Sequence, residues 1–158
     1  MKTKRYYIAY GSNLNVEQME WRCPGAAPIG WCKLEGWRLA FKGSKTGSYL
    51  TIEKAEGHDL PVVVWEISKA NEVSLDRYEG WPIFYYKKAF KLELELFDGS
   101  KQKMQAFAYI MAEDHPYGIP SEYYIKTCAY GYDEFGFDLE YLKEAFIYSY
   151  EKTTGGNE

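Results

Sequence analysis

Histidine occurs only twice in this chain, at His58 and His115, and that scarcity excludes a histidine-rich metal site. A Cys–His or Ser–His nucleophile would have to use one of these two, and both lie in polar turns, Glu56-Gly57-His58-Asp59 and Asp114-His115-Pro116. Both are expected to be exposed loop residues. Cysteine is nearly as sparse: Cys23, Cys32 and Cys128 are odd in number and lack C-x-x-C spacing, which fits reduced thiols in a cytosolic chain. Neither a G-x-G-x-x-G nor a Walker loop occurs, so nothing favours a nucleotide cofactor. Lys and Arg form no cluster and the net charge is −4, which argues against nucleic acid as a partner. Long apolar runs are missing too. The basic start, Met1-Lys2-Thr3-Lys4-Arg5, leads into only about six apolar or aromatic residues, too few for a signal-peptide core or a membrane span. The expectation is a cytoplasmic protein with no membrane partner.

What is present is a globular composition, 46% hydrophobic and 27% charged over 158 residues, long enough to bury a core without staples. No repeat or linker divides it. One domain over residues 1–152 is expected, with residues 153–158 as a frayed tail. Sixteen tyrosines suggest amphipathic surfaces without naming a ligand.

Arg5 to Ala9 reads as a first strand, and Asn15 with Gln18 has the form of a capping box for a short helix through Arg22, with Val16, Met19 and Trp21 on its buried side. Ile29 to Leu34 and Trp37 to Lys42 read as two strand pieces joined at Gly36, followed by a loop from Gly43 to Gly47 and a short strand from Tyr49 to Glu53. Leu60 to Ile67 is rich in valine and predicts a central strand buried on both faces. Ser68 caps a helix that ends at Gly80. Alternation of Phe90, Leu92, Leu94 and Leu96 with charged residues, then Asp98-Gly99, predicts a hairpin with Lys103 to Met111. Ser121 caps a helix that Gly131 interrupts near Tyr130, and Asp138 opens a last helix to about Glu151. Strands, a helix, a hairpin and two final helices make an α+β domain with a mixed, curled sheet.

Tyr10-Gly11-Ser12-Asn13-Leu14 stands where the first strand stops and a helix begins. Five such letters are ordinary turn composition. They also describe a place where several backbone N–H groups point one way, as in the nests and helix N-termini that hold carboxylates and oxyanions.

That motif continues as Met19, Arg22, Pro24, Gly30, Leu34, Gly36, Arg38-Leu39 and Phe41, and so resembles the γ-glutamylcyclotransferase family, with its AIG2-like and BtrG-like members. Leu75-Asp76-Arg77-Tyr78-Glu79-Gly80 resembles the family's L-D-x-x-E-G segment. Pro120-Ser121 with Tyr124, Gly131, Glu134, Gly136 and Leu139-Glu140-Tyr141 is a third match, in the family's order. The resemblance implies a small, strongly curled mixed sheet, barrel-like, with helices around it and a pocket where the Y-G-S-N loop faces a glutamate.

It also implies a cofactor-independent and metal-free reaction on a small γ-glutamyl molecule. The α-amino group attacks its own side-chain carbonyl, closes 5-oxoproline and expels an amine. Glu79 is the candidate acid and base, if burial raises its pKa. Tyr10, Gly11, Ser12, Asn13 and Leu14 are the expected substrate-binding residues, through backbone donors. Asn13 contributes either a side-chain amide or a helix cap. Tyr86, seven residues beyond Glu79, is a further candidate to hydrogen-bond the base or the substrate, and Tyr124 to close the pocket, with packing as the alternative for both. Arg22-Cys23-Pro24 reads as structural. The alternative from another class is a non-catalytic module that binds a small γ-glutamyl or carboxylate metabolite. Nothing in the sequence specifies the leaving amine or an oligomeric state.

Overall fold

The computed structural model describes residues 4–44 and 47–155. Five strands, β1 (Arg5–Ala9), β2 (Ala27–Ser44), β3 (Gly47–Ile67), β4 (Tyr85–Leu96) and β5 (Lys101–Met111), close into a barrel in the order β1-β3-β2-β4-β5. Pairing is antiparallel throughout except where β1 meets β5 in parallel, Tyr7 opposite Phe107. Among the described residues four α-helices complete the α+β fold: α1 (Val16–Arg22), α2 (Lys69–Glu79), α3 (Glu122–Glu134) and α4 (Glu140–Gly155). The curled, mixed, barrel-like sheet implied by the resemblance is therefore present, and closed.

The valine run behaves as its composition requires. Every residue from Leu60 to Ile67 is buried apart from half-buried Glu66, because β3 is flanked by β1 on one side and β2 on the other. The separate pieces read at Gly36 and at Glu56 to Asp59 are bends inside two continuous strands. The ladder shifts register between Glu35 and Trp37, opposite Lys54 to Asp59, with Gly36 and Gly57 at φ of 80° and 83°. An irregularity of this kind bends a long hairpin without ending it. The expected loop from Gly43 to Gly47 shrinks likewise, since Ser44 still pairs with Gly47; Lys45 and Thr46 lie outside the described residues.

Helix ends follow their caps. The Asn15 side chain accepts from Gln18 N at 3.1 Å, Ser68 and Asn71 form a reciprocal capping box, and Gly80 ends α2 in the left-handed region at φ 67°. Two expectations fail for local reasons. Trp21 is 83% exposed while Met19 is buried, because two residues along a helix lie about 200° apart around it. Gly131 does not interrupt α3. A Cβ there would come within 2.5 Å of Leu14 C and 2.6 Å of Asn15 N, so this glycine lets the helix lie directly on the turn that follows β1. Thr153 to Gly155, read as part of the tail, are the last residues of α4; residues 156–158 lie outside the described set.

These contacts place the future site. Besides the close approach at Gly131, Asn15 Nδ2 donates to Thr127 O at 3.2 Å and the Tyr132 hydroxyl donates to Tyr10 O at 3.0 Å. The break after β1 is thus clamped from behind by α3.

Candidate active site

β1 ends at Ala9, and the chain leaves the sheet through Tyr10 and Gly11 into a single 3-10 turn over Ser12–Leu14. Gly11 makes the exit possible at close quarters, since a Cβ would meet Leu50 Cδ1 at 3.2 Å. Within the turn Leu14 N donates to Gly11 O and Asn15 N to Ser12 O, each at 3.0 Å. The amides of Ser12 and Asn13 precede the first of these bonds and are the turn's own orphan donors. Leu14 is excluded from the set: its N–H is spent inside the turn and its side chain is fully buried.

In front of the turn lies a cavity of about 480 Å³, within the range of roughly 300–1,000 Å³ usual for small-molecule sites. Tyr10, Gly11, Ser12, Asn13, Tyr124 and Glu79 all line it. The opening turn, the middle of the sequence and α3 therefore converge on one space.

Glu79 reaches that space because of how α2 stops. Gly80 N bonds back to Arg77 O at 3.3 Å and Trp81 N to Asp76 O at 2.9 Å, the double bond of a glycine-terminated helix. This closure fixes the last turn and leaves Glu79 half-buried at the cavity wall. No described cation forms an ion pair with its carboxylate. Burial of the carboxyl raises its pKa from 4.5 to about 7, against the opposing charge of Arg22, as expected where desolvation disfavours the ionised form. A group that titrates near neutrality can take up and release a proton within one turnover.

Asn13 takes neither of its expected roles as such. Asn15 is the cap of α1, and the Asn13 side chain is held by neighbours: Nδ2 donates to the Tyr7 hydroxyl at 2.8 Å, and Oδ1 accepts from Arg22 Nη1. Tyr124 does reach the cavity, and its hydroxyl accepts from Leu50 N at 3.0 Å. Tyr86 does not. Its hydroxyl donates to the Glu113 carboxylate, while its neighbour Tyr85 lines the cavity and donates to Leu50 O at 3.0 Å. Successive strand residues point to opposite faces, so a shift of one position exchanges inside for outside.

Reading the sequence assigned no binding or catalytic role to several residues of the cavity or beside it. Tyr7 lies three positions before Tyr10 on β1. Tyr109 donates to Asp76 Oδ1 at 2.6 Å, and Asp76 belongs to the same L-D-x-x-E-G segment as Glu79. Tyr85 is the third. Arg22, read as structural, lies 3.6 Å over the Tyr78 ring and is the cation that acts on Glu79. Only Asp76 carried a motif that could have led to its partner. Cys23 is buried, and that burial pushes its thiol up to about 11 despite Arg22, so it is no nucleophile at neutral pH. His58 is exposed as expected, whereas His115 is half-buried with its ring 4.4 Å from that of Phe84, a cavity residue it supports from behind. Among the described residues no group of three or more His, Cys, Asp or Glu could hold a metal ion, and no helix is long and apolar enough to cross a membrane.

Comparison with known proteins gives the family and the fold. Residues 7–126 match the model of the family described as "Gamma-glutamyl cyclotransferase, AIG2-like". The bovine and human proteins named gamma-glutamylcyclotransferase are each 32% identical over 145 residues, spanning 87% of this chain and 75% of theirs. A solved structure titled "Gamma-glutamyl cyclotransferase" superposes with a TM-score of 0.73 at 29% identity, covering 90% of this chain and 86% of that one.

Proposed function

Because the chain belongs to the AIG2-like gamma-glutamyl cyclotransferase family, we propose that it is an enzyme that releases 5-oxoproline and a free amine from a γ-glutamyl amine or γ-glutamyl amino acid. One observation carries the proposal: a carboxyl with pKa near 7, Glu79, shares a cavity with the orphan amides of the Ser12–Leu14 turn.

In the reaction the α-amino nitrogen attacks the γ-carbonyl carbon. The new C–N bond closes a five-membered ring, and the carbonyl π pair moves to oxygen. Glu79, as carboxylate, takes the proton that the attacking nitrogen loses. Collapse of the tetrahedral species restores the carbonyl and breaks the bond to the departing nitrogen, which receives that proton from Glu79. One group serves as base and then acid because its pKa lies between the two demands. The amides of Ser12 and Asn13 suit the substrate's α-carboxylate, which carries its charge throughout. The aromatic walls hold the glutamyl chain folded on itself, and correct orientation supplies much of the advantage of an intramolecular attack. The three cysteines are free thiols, which suits a reducing compartment, and the cytoplasm is assigned on that ground.

The test is to incubate the protein with γ-glutamyl-alanine, γ-glutamyl-lysine derivatives and related amines and to quantify 5-oxoproline. Turnover by the wild type that is lost in Glu79→Gln is the expected result. Ligand-induced thermal stabilisation with no product from any of these compounds would instead indicate a binding module.

A further inference from the structure

The cavity is lined by several tyrosines, and the hydrogen bonds of their hydroxyls are sorted by direction. Tyr10 donates to Tyr109 O at 2.6 Å, Tyr85 to Leu50 O at 3.0 Å and Tyr109 to Asp76 Oδ1 at 2.6 Å. Each of these three phenols has spent its only proton on the protein and offers the cavity lone pairs alone. Tyr124 accepts from Leu50 N at 3.0 Å and its hydroxyl lies beside the Cys128 thiol, and Tyr7 is likewise an acceptor. It accepts from Asn13 Nδ2, and among the described residues the structure gives its proton no acceptor.

This polarity is dictated by chemistry, because a guanidinium carries donors only. The Asn13 atom that faces Arg22 Nη1 must therefore be the carbonyl oxygen. The other end of the amide is then the NH2 group, and the Tyr7 oxygen that it meets must accept. Arg22 is itself oriented by Gln18 Oε1 at 2.9 Å and by the Tyr78 ring. The relay Arg22–Asn13–Tyr7 thus leaves the Tyr7 proton free, on a residue that is 4% exposed and lines the cavity.

Resting on the cyclotransferase reading above, we infer that the Tyr7 hydroxyl donates to the γ-carbonyl oxygen of the substrate as that oxygen gains negative charge during ring closure. Two considerations select this oxygen over the α-carboxylate. Burial and then the charge of Glu79 push the Tyr7 phenol well above its usual range, so the hydroxyl stays protonated and lies within the field of the base. The base must in turn stand beside the nitrogen that attacks the γ-carbonyl. The α-carboxylate, a permanent anion, is better placed away from Glu79 at the orphan amides. A donor aimed at a developing oxyanion strengthens as the charge appears, which is the condition for lowering a barrier.

Removing the hydroxyl and reversing the relay should have the same consequence. In Tyr7→Phe, kcat for 5-oxoproline release is expected to fall by about 10²-fold, as for other single oxyanion donors, with KM little changed. In Asn13→Asp one carboxylate oxygen pairs with Arg22 and the other accepts the Tyr7 proton, turning it away from the cavity. The kcat loss should approach that of Tyr7→Phe, and the double variant should be no slower than the slower single one. Thermal melts report whether each variant folds; should Tyr7→Phe fail to fold, Asn13→Asp with Tyr7 intact carries the test. Tyr7 is not the oxyanion donor if Tyr7→Phe keeps the wild-type kcat, if the loss lies wholly in KM, if Asn13→Asp keeps full kcat, or if the two losses multiply in the double variant. A wild-type protein that yields no 5-oxoproline from the whole substrate panel overturns the cyclotransferase reading itself, and the role of Tyr7 with it.

Discussion

Glu72 and Glu79 lie two turns apart on the same helix and have opposite surroundings. Glu72 is buried and saturated with cations: Arg5 Nε lies 2.9 Å and Lys87 Nζ 2.8 Å from its oxygens, and Lys87 also reaches Asp76 at 2.9 Å. Glu79 faces the cavity without an ion pair, and burial moves its pKa to about 7. One carboxylate ties α2 to β1 and β4; the other is left chemically unsettled at the helix end. Sequence spacing cannot tell the two apart. What separates them is whether a lysine and an arginine from other strands arrive at the same place, and a charge buried with partners stays put whereas one buried without them becomes a proton carrier.

The largest expected effect breaks that contrast at its reactive end. Glu79→Gln should lower 5-oxoproline release by about 10³-fold or more, the loss typical of a general acid–base group, measured as turnover on any substrate the wild type accepts. The same variant should also be more stable at pH 8. Folding favours the protonated form of Glu79, so its contribution is complete below about pH 4.5 and is lost as pH rises through about 7. The difference amounts to about 3 kcal/mol at pH 8, read by denaturant melts of both proteins across pH 4 to 8; their curves should converge on the acid side.

Glu72→Gln should do the reverse, costing stability with little effect on the pH profile of activity. A loss of about 2 kcal/mol is expected, below that of a sealed pair because Arg5 is partly exposed and Lys87 keeps Asp76. A urea titration alongside the rate profile separates the two consequences. The smallest effect sharpens the comparison from outside the helix. Arg22 opposes the upward shift of Glu79, so Arg22→Met should move the acidic limb of kcat/KM to higher pH, whereas Arg22→Lys, which keeps the charge, should move it less.

The legible part of the site was the part carried by local backbone chemistry. Gly11, Ser12 and Asn13 announce a turn after a strand, and Glu79 precedes a glycine that ends a helix; both are decided by residues adjacent in the chain. Leu14 does not line the cavity, because a turn closes its own bonds with its last amides and exposes only the first ones. Tyr86 is suggested by its place seven residues beyond Glu79, but a one-residue offset on a strand changes face, and only the pairing of Tyr85 with Met111 and of Tyr86 with Ile110 fixes which of the two looks inward.

The sequence by itself determined the strand–turn–helix at Tyr10, the capped helix from Ser68 to Gly80, the valine strand and the β4–β5 hairpin, since each is announced by the composition and periodicity of its own residues. The tertiary structure alone decided that β1 and β5 close the barrel, that Gly131 lets α3 lie on the turn, and that Arg22, Asn13 and Tyr7 form a relay with one direction. Those outcomes depend on atoms brought together from distant positions, where burial, the identity of the nearest charge and the sense of a hydrogen bond are set by packing rather than by neighbours in the chain.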